Sequence, residues 1–450
     1  MSTAVATARN SGLNARVFRA ATAVTVAGVA VKLVAMAKEF VVAGVYGRTD
    51  AMDAFLVALL IPGLLVNIVS ESMNQALIPT FVRVRAMDGV DRARQLLSNA
   101  MVSSCALLTV SSLAIASAAR YILHVTASNY PPEKLHLALL LFYVLLPSVL
   151  LTGIASNCTA VLNTLDRFAV PALAPVVTPA LTIVLALTLG SRIGIWAMAI
   201  ASICGALLHA LWMVSMMESH GYKIRLRWFG LNQETRDVSV QYGRVLLSSV
   251  VACSGLLVDQ AMAASLPAGS VSALAYANRF VSVVLTLLGG AIASAITPSF
   301  AEAVAHESWH ECRRLVRSWI GFTALVSVPI AAVLMIGAHA LVSVAFQHGA
   351  FHAQDTEAVT PVLIMYAIQI PFFVCSRVFY RFLLAIERSD VILWCGVVNL
   401  VLDVVLNLIL MRAMGVAGIA LATSLWTIST FVFLWGWTRK LMPVERERAA

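Results

Sequence analysis

Residues 53–81 read DAFLVALLIPGLLVNIVSESMNQALIPTF, in which two apolar stretches enclose the polar segment NIVSESMNQ at 67–75. An apolar helix of about 20 residues is long enough to cross the hydrocarbon layer of a membrane. Polar side chains occur in such a helix where they face water, one another or a bound molecule. This stretch therefore predicts a membrane-spanning helix whose polar face has a function.

The composition of the whole chain is that of a membrane protein. Of its 450 residues 60% are hydrophobic and only 12% are charged, and the mean hydropathy is +0.88. A soluble domain carries about 25% charged residues, so a soluble protein is excluded. The net charge of +9 reflects loop topology and contact with anionic lipid, and no nucleic-acid partner is expected.

Apolar stretches of spanning length recur along the chain, whereas the alternating strands of membrane barrels do not occur. We therefore predict an all-α, polytopic membrane protein with about twelve transmembrane helices. The predicted spans are 20–46, 52–79, 96–119, 137–163, 170–190, 195–217, 242–265, 272–298, 317–343, 358–384, 391–411 and 415–437. Most of the 31 Lys and Arg residues then fall in loops on the side of the N-terminus. This excess predicts that both termini are cytoplasmic.

The longest cytoplasmic connection lies between the sixth and seventh predicted helices and separates two groups of six. A shift of 219 positions places ALIPTF (76–81) on AITPSF (295–300) and Arg94 on Arg313. Because each half has an even number of helices, the two halves share one orientation. We predict two six-helix lobes around a central cavity, with the N-lobe at 1–218, a cytoplasmic linker at 219–241 and the C-lobe at 242–450.

Intramembrane polar residues of the first lobe form the first candidate site. At about 100° per residue, Asn67, Glu71 and Asn74 fall on one face of the second helix. A charged side chain at mid-membrane costs roughly 2.5–3.5 kcal/mol, which favours a wet cavity over lipid. The alternative is a structural role, in which these groups pair and hold helices together. The first-lobe candidates for substrate binding are Lys32, Lys38, Glu39, Asp53, Asn67, Glu71 and Asn74.

The second lobe carries its own polar set. Asn399, Asp403 and Asn407 follow one another at four-residue intervals in the eleventh helix, and Asp259 lies in the seventh. Carboxylate and amide oxygens are suitable ligands for a hard cation such as Na⁺. Spacing alone equally allows an ion pair between Asp403 and Arg377.

Five segments occur in order over both predicted lobes: DAFLVALLIPGLL (53–65), ESMNQALIPTF (71–81), GSVSALAYANR (269–279), VAFQHGAF (344–351) and GIALATS (418–424). Together they resemble the MurJ/MviN family of lipid II flippases, in the multidrug/oligosaccharidyl-lipid/polysaccharide exporter superfamily. The resemblance spans nearly the whole chain. It implies a flippase of the bacterial inner membrane that moves an undecaprenyl-diphosphate-linked saccharide from the cytoplasmic to the periplasmic leaflet by alternating access.

The resemblance also implies roles for particular residues. Lys32, Lys38 and Arg279 correspond to cations that bind the diphosphate, and Arg377 is a further candidate for substrate binding. The family's sodium site corresponds to Asp259, Asn399, Asp403 and Thr423, which favours a cation site for Na⁺ or H⁺ over the ion pair. No catalytic residue and no other cofactor are expected. The expected partners are the lipid-linked saccharide, membrane lipids and, as further candidates, other proteins of cell-envelope synthesis.

Several positions depart from the family pattern. Val66 and Asn67 stand where lipid II flippases have an Arg pair, and Lys32 and Lys38 stand where they have arginines. A lysine is a point charge that lacks the two-pronged geometry of arginine. Twelve helices are predicted where the family has fourteen. A relative that flips another lipid-linked oligosaccharide, such as an exopolysaccharide or O-antigen repeat unit, explains these departures better than a flippase of lipid II itself.

Two other classes of protein are weighed against a flippase. A cation-coupled multidrug exporter of the same superfamily would favour an aromatic, acidic cavity over a basic one. An oligosaccharide polymerase or ligase would place catalytic groups in a large outer loop, and the predicted outer loops are short. His348, His352 and Asp355 have suggestive spacing, but an interfacial turn explains them better. The seven cysteines show neither metal-ligand nor disulfide spacing.

Overall fold

The computed structural model describes residues 26–442 except 128, 166, 223–226 and 307, and it leaves the side chains at 71, 125, 248, 251, 252 and 254 undescribed. Within this part of the chain every regular element is helical, which confirms the predicted all-α class. The helices are α1 (26–46), α2 (Asp50–Met87), α3 (Val90–Thr126), α4 (Pro132–Thr164), α5 (Ala169–Ile193), α6 (Trp196–Ser219), α7 (Gln233–Ala264), α8 (Ser270–Ala305), α9 (Trp309–Ile336), α10 (Ala338–Phe346), α11 (Ala353–Ala385), α12 (Ser389–Met414) and α13 (Val416–Leu441).

Ten of the twelve predicted spans each fall on one of these helices, and the first span, 20–46, begins outside the described residues. Ten helices of the described part have the length and apolar composition needed to cross a membrane. The other two, α1 and α7, occupy the positions of the first and seventh predicted spans. The ninth predicted span, 317–343, is not one helix, because a break at Gly337 divides it between α9 and the short α10. The protein is therefore a multi-pass membrane protein, and the chain ends that bear on its orientation lie outside the described residues.

The chain divides into two compact units. Unit 1 comprises Met1–Tyr46, Ala54–His124 and Pro132–Val250, and unit 2 comprises Gly47–Asp53, Val125–Pro131 and Val251–Ala450. Two short stretches, 47–53 and 125–131, each made of a turn and the adjoining end of a helix, thus group with unit 2. Helix α7 contributes its first part to unit 1 and its second part to unit 2. The lobe boundaries at 1–218, 219–241 and 242–450 stay a prediction.

Each unit contains a turn between two helices, and the two turns have the same backbone conformation. Helix α5 ends at Gly194 with φ 59° and ψ −138°, and helix α12 ends at Gly415 with φ 59° and ψ −132°. A positive φ is costly for residues that have a Cβ atom, so glycine is favoured at both turns. Each turn leads within two residues into the last helix of its six-helix group. This recurrence agrees with the internal repeat expected from the sequence.

Helix α2 is interrupted where its sequence becomes polar. Pro62 lies inside its first part, and Val66–Ser70 forms a π-helical turn before the α-helix resumes at Glu71. A π turn closes hydrogen bonds over five residues instead of four, and such turns are frequent at functional sites. Residues before this turn and residues after it therefore do not follow one regular 100° spacing around the helix axis.

Different kinds of side chain fill the cores of the two units. In unit 1 Phe81, Leu162 and Met213 are fully buried within one apolar cluster. In unit 2 aromatic rings pack on one another, as between Tyr276 and Phe346, whose ring centroids are 5.1 Å apart. Buried apolar area of this kind holds each unit together and fixes the helices that carry the polar residues.

Candidate substrate and cation sites

A cluster of buried polar side chains joins three helices of unit 2. The amide nitrogen of Asn407 donates to Asp259 Oδ1 at 2.8 Å and to Asp403 Oδ1 at 3.1 Å. Thr423 Oγ1 donates to Asp259 Oδ2 at 3.1 Å. Asp403 and Asn407 lie on α12, Asp259 on α7 and Thr423 on α13, so packing of these three helices creates the cluster.

The cluster has the chemistry of a site for a small cation or a proton. Asp403 is 2% exposed and Asn407 is fully buried. Asp403 Oδ2 and Asn407 Oδ1 accept no hydrogen bond in the described part of the chain. Two buried carboxylates repel each other unless a proton or a cation lies between them. The cluster offers carboxylate, amide and hydroxyl oxygens, and oxygen is the ligand that hard cations prefer, so the residues fit Na⁺ or H⁺.

The structure changes the predicted membership of this site. Asn399 lies outside the cluster, because its amide donates to Thr430 Oγ1 at 2.8 Å. Asn407 takes the bridging position instead. The four-residue spacing along one face of α12 makes all three residues, Asn399, Asp403 and Asn407, candidates for the site. Only contacts with α7 and α13 distinguish the two asparagines.

Arg377 is not the partner of Asp403. Its guanidinium lies over the ring of Phe373, 4.2 Å from the ring centroid, and 5.7 Å from that of Tyr380. No ion pair joins it to Asp403 within the described residues, while Asp403 bonds to Asn407. The proposed ion pair is therefore wrong for this structure. A role of Arg377 in substrate binding stays a prediction.

The basic residues of the predicted substrate site are accessible to differing degrees. Lys32 is exposed on α1 and Arg279 is exposed on α8. Lys38 is partly buried, and its Nζ lies 2.8 Å from Glu39 Oε1. Glu39 is 7% exposed, so this ion pair is largely shielded from solvent. Lys32 and Lys38 belong to unit 1 and Arg279 belongs to unit 2.

The predicted polar stripe of α2 does not lie on one face. Asn67 is exposed, whereas Asn74 is 8% exposed and donates to Ser156 Oγ on α4 at 2.7 Å. The π turn between them breaks the 100° spacing on which the prediction rested. Asn74 therefore joins two helices of unit 1 and does not line a wet face. The side chain of Glu71 lies outside the described part of the chain.

Asp53 also has a different role from the one predicted. Its carboxylate accepts hydrogen bonds from the backbone N–H groups of Gly269 at 2.7 Å and Ser272 at 2.9 Å. It is 1% exposed. These are the donors that the first turn of a helix leaves unsatisfied, so Asp53 caps α8. A buried helix cap is not available to a saccharide.

Near Asp53, the side chain of Arg48 bonds to the start of α8 and to the first turn of α11. Its Nε donates to the carbonyl oxygen of Gly269 at 3.0 Å, and its Nη1 lies 3.3 Å from Asp355 Oδ1. The other oxygen of Asp355 accepts the backbone N–H of His352 at 2.9 Å at the start of α11. His352 and Asp355 thus form a helix-capping turn, and the interfacial position of this turn stays a prediction.

Comparison with known families gives a match over nearly the whole chain. The family described as "Lipid II flippase MurJ" matches residues 42–449. A "Probable lipid II flippase MurJ" of Buchnera aphidicola is 22% identical over 422 residues, which cover 92% of this chain and 83% of the relative. The "Lipid II flippase MurJ" of Burkholderia cenocepacia is 27% identical over 351 residues, which cover 75% of this chain and 67% of the relative.

Solved structures share the fold. The inward closed conformation of lipid II flippase MurJ superposes with a TM-score of 0.80 at 19% identity, covering 93% of this chain and 88% of that one. An inward-facing MATE family multidrug resistance transporter superposes with a TM-score of 0.76 at 16% identity, covering 91% of this chain and 94% of that one. At these identities the likeness concerns the fold alone.

Proposed function

Because the chain belongs to the MurJ family of lipid II flippases, we propose that it moves lipid II or a related undecaprenyl-diphosphate-linked saccharide from the cytoplasmic to the periplasmic leaflet of the bacterial inner membrane. It is a transporter and not an enzyme. The transport proceeds by alternating access, with both chain termini in the cytoplasm. The family match over residues 42–449 is the observation that carries this proposal.

The basic residues support a diphosphate as the group that the protein recognises. Lys32 is exposed in the first predicted span, and Arg279 is exposed in α8, which is long and apolar enough to cross a membrane. A dianionic headgroup that crosses a low-dielectric region needs compensating positive charge. Lys38 supplies a third positive charge when its ammonium group leaves the carboxylate of Glu39 and binds the phosphate.

The saccharide specificity is broader than that of a strict lipid II flippase. Lysine attracts a phosphate as a point charge, whereas arginine also fixes its orientation by two parallel hydrogen bonds. With Lys32 and Lys38 in place of arginines, and Val66 and Asn67 in place of an Arg pair, the diphosphate is held with less geometric constraint. Lipid II and other saccharides on the same lipid carrier are then all candidate substrates.

The buried cluster of unit 2 binds the coupling ion. Asp259, Asp403, Asn407 and Thr423 provide the oxygen atoms that Na⁺ or a proton requires. Inward movement of one cation supplies about 2.3 kcal/mol per 100 mV of membrane potential. That energy returns the protein to the state that accepts the next substrate.

The proposal is tested with purified protein in liposomes that contain lipid II in both leaflets. An enzyme or antibiotic added outside reports the lipid II that becomes accessible over time. Active protein should expose the inner pool, and protein-free liposomes should not. Transport of cationic drugs together with an inaccessible inner pool would contradict the proposal and favour the multidrug exporter.

A further inference from the structure

The cytoplasmic connection between α6 and α7 contains a short segment, 227–231, that is bonded to α3 by its backbone. Ser98 Oγ donates to the carbonyl oxygen of Arg227 at 2.6 Å. The amide of Asn99 accepts the backbone N–H of Phe229 at 2.8 Å and donates to the carbonyl oxygen of Gly230 at 3.0 Å. Asn99 and Ser98 are 1% and 6% exposed, so two buried side chains hold an otherwise irregular segment.

This segment, which we call the strap, presents apolar side chains to its surroundings. Trp228 is 45% exposed, Phe229 is 37% exposed and Leu231 is 77% exposed. Exposed tryptophan beside basic residues is typical of the boundary between a membrane and water. Arg227 completes this pattern, since its guanidinium lies 5.5 Å from the ring centroid of Phe229.

The predicted membrane boundary on α3 puts the strap at the depth of the lipid headgroups. The third predicted span begins at residue 96, and the strap is bonded to residues 98 and 99. Helix α2 behaves differently, because it continues to Met87, eight residues beyond the predicted end of its span at 79. At 1.5 Å per residue its end lies about 12 Å past the boundary, in water.

The charges around the strap favour an anionic surface. Arg92, Arg227 and Arg236 are exposed in the same unit. Two carboxylates near the strap are paired, Asp91 with Arg94 at 2.7 Å and Asp237 with Arg83 at 2.9 Å, and Glu234 lines one small cavity together with Arg92. Basic residues close to a membrane are attracted by the anionic lipids of the cytoplasmic leaflet.

We propose that the strap is a membrane anchor that inserts Trp228 and Leu231 among the headgroups and binds an anionic phospholipid through Arg227. The strap also positions the start of α7, because the Asn99 amide donates to Thr235 Oγ1 at 3.0 Å in the first turn of that helix. Anionic lipid thereby stabilises the place where α7 enters the membrane. The inference does not depend on which saccharide is transported.

The test uses the full chain with its seven cysteines replaced and one cysteine introduced, either Leu231→Cys or, as a control, Met87→Cys. Met87 is also apolar and is 78% exposed. Each protein is labelled with bimane and placed in lipid nanodiscs of phosphatidylcholine, with or without phosphatidylglycerol. Quenching is measured with iodide in the water and with a nitroxide on the lipid headgroup.

With phosphatidylglycerol, the label at 231 should lose its access to iodide and be quenched by the nitroxide, and the label at 87 should show the reverse. Arg227→Gln should abolish the difference between the two lipid compositions. Equal iodide access at 231 and 87 would overturn the proposal. Shielding of the label at 231 from iodide in native membranes but not in nanodiscs would also overturn the proposal, because a protein and not lipid would then cover the strap.

A second variant tests the attachment to α3. Asn99→Ala should restore iodide access at 231 and leave the label at 87 unchanged, with the protein still monodisperse. If the label at 231 remains shielded in this variant, hydrogen bonding to α3 does not hold the strap at the membrane, and that part of the proposal fails.

Discussion

Both carboxylate oxygens of Asp53 accept backbone hydrogen bonds at the start of α8. Asp53→Ala leaves two buried N–H groups without acceptors, which costs about 1–3 kcal/mol for an unsatisfied group. We expect a lower midpoint of thermal unfolding in detergent, while Asp53→Asn, which keeps one acceptor oxygen, retains part of the stability. Asp88→Ala, at the exposed end of α2, is the control. Equal midpoints for Asp53→Ala and Asp88→Ala would show that the cap is dispensable.

Asp403 and Asp259 belong to the cluster that we propose as the cation site. Asp403→Asn and Asp259→Asn each remove one negative charge without changing the shape of the side chain, so the fold should persist. We expect transport in liposomes to become independent of the Na⁺ or H⁺ gradient. Asp390→Asn, at the exposed start of the same helix, should keep the dependence. Unchanged gradient dependence in both cluster variants would make the two acids structural.

Among the elements, the hairpin of α12 and α13 depends on one close contact. A Cβ atom on Gly418 would overlap the carbonyl oxygen of Leu410 and lie 2.9 Å from the backbone nitrogen of Met411. Backbone atoms cannot move aside as side chains can, so Gly418→Ala must separate the two helices. Gly418 is the first residue of the GIALATS segment at 418–424, which also supplies Thr423 to the cluster.

We expect Gly418→Ala to cost about 1–3 kcal/mol, the usual cost of overpacking, and to weaken the cation dependence of transport. Gly436→Ala on the same helix is a matched control, because no atom lies within 4 Å of its Cβ position. That change should be neutral or slightly stabilising, since alanine is favoured over glycine within a helix. Thermal unfolding of the two variants distinguishes these outcomes, and equal midpoints would contradict the packing argument.

At the scale of the whole molecule, we expect transport to require positive charge in both units. We expect Lys32→Gln, Lys38→Gln and Arg279→Gln each to abolish export of the lipid-linked saccharide, because the diphosphate would lose compensating charge. Arg412→Gln, an exposed arginine at the end of α12, controls for loss of charge alone. Protein levels in the membrane should match those of the unmodified chain. Normal transport by all three variants would remove the proposed diphosphate site.

The sequence by itself determined the class of the protein, the positions of its helices and its family. These features depend on properties of contiguous segments: apolar length and short motifs such as 71–81 and 418–424. A membrane makes such local signals strong, because a backbone in lipid must satisfy its hydrogen bonds within each segment. The sequence also drew attention to Asp259, Asp403 and Thr423 before any contact between them was visible.

Only the tertiary structure decided which polar residues share a site. Asp53 bonds to a residue 216 positions away, Asn74 to one 82 positions away and Asn407 to one 148 positions away. Helical spacing cannot identify partners at such separations, because they depend on how distant helices pack. A single π turn in α2 also shifted the register between Asn67 and Asn74. A polar side chain within a span is therefore evident from the sequence, whereas its partner is set by the packing of other helices around it.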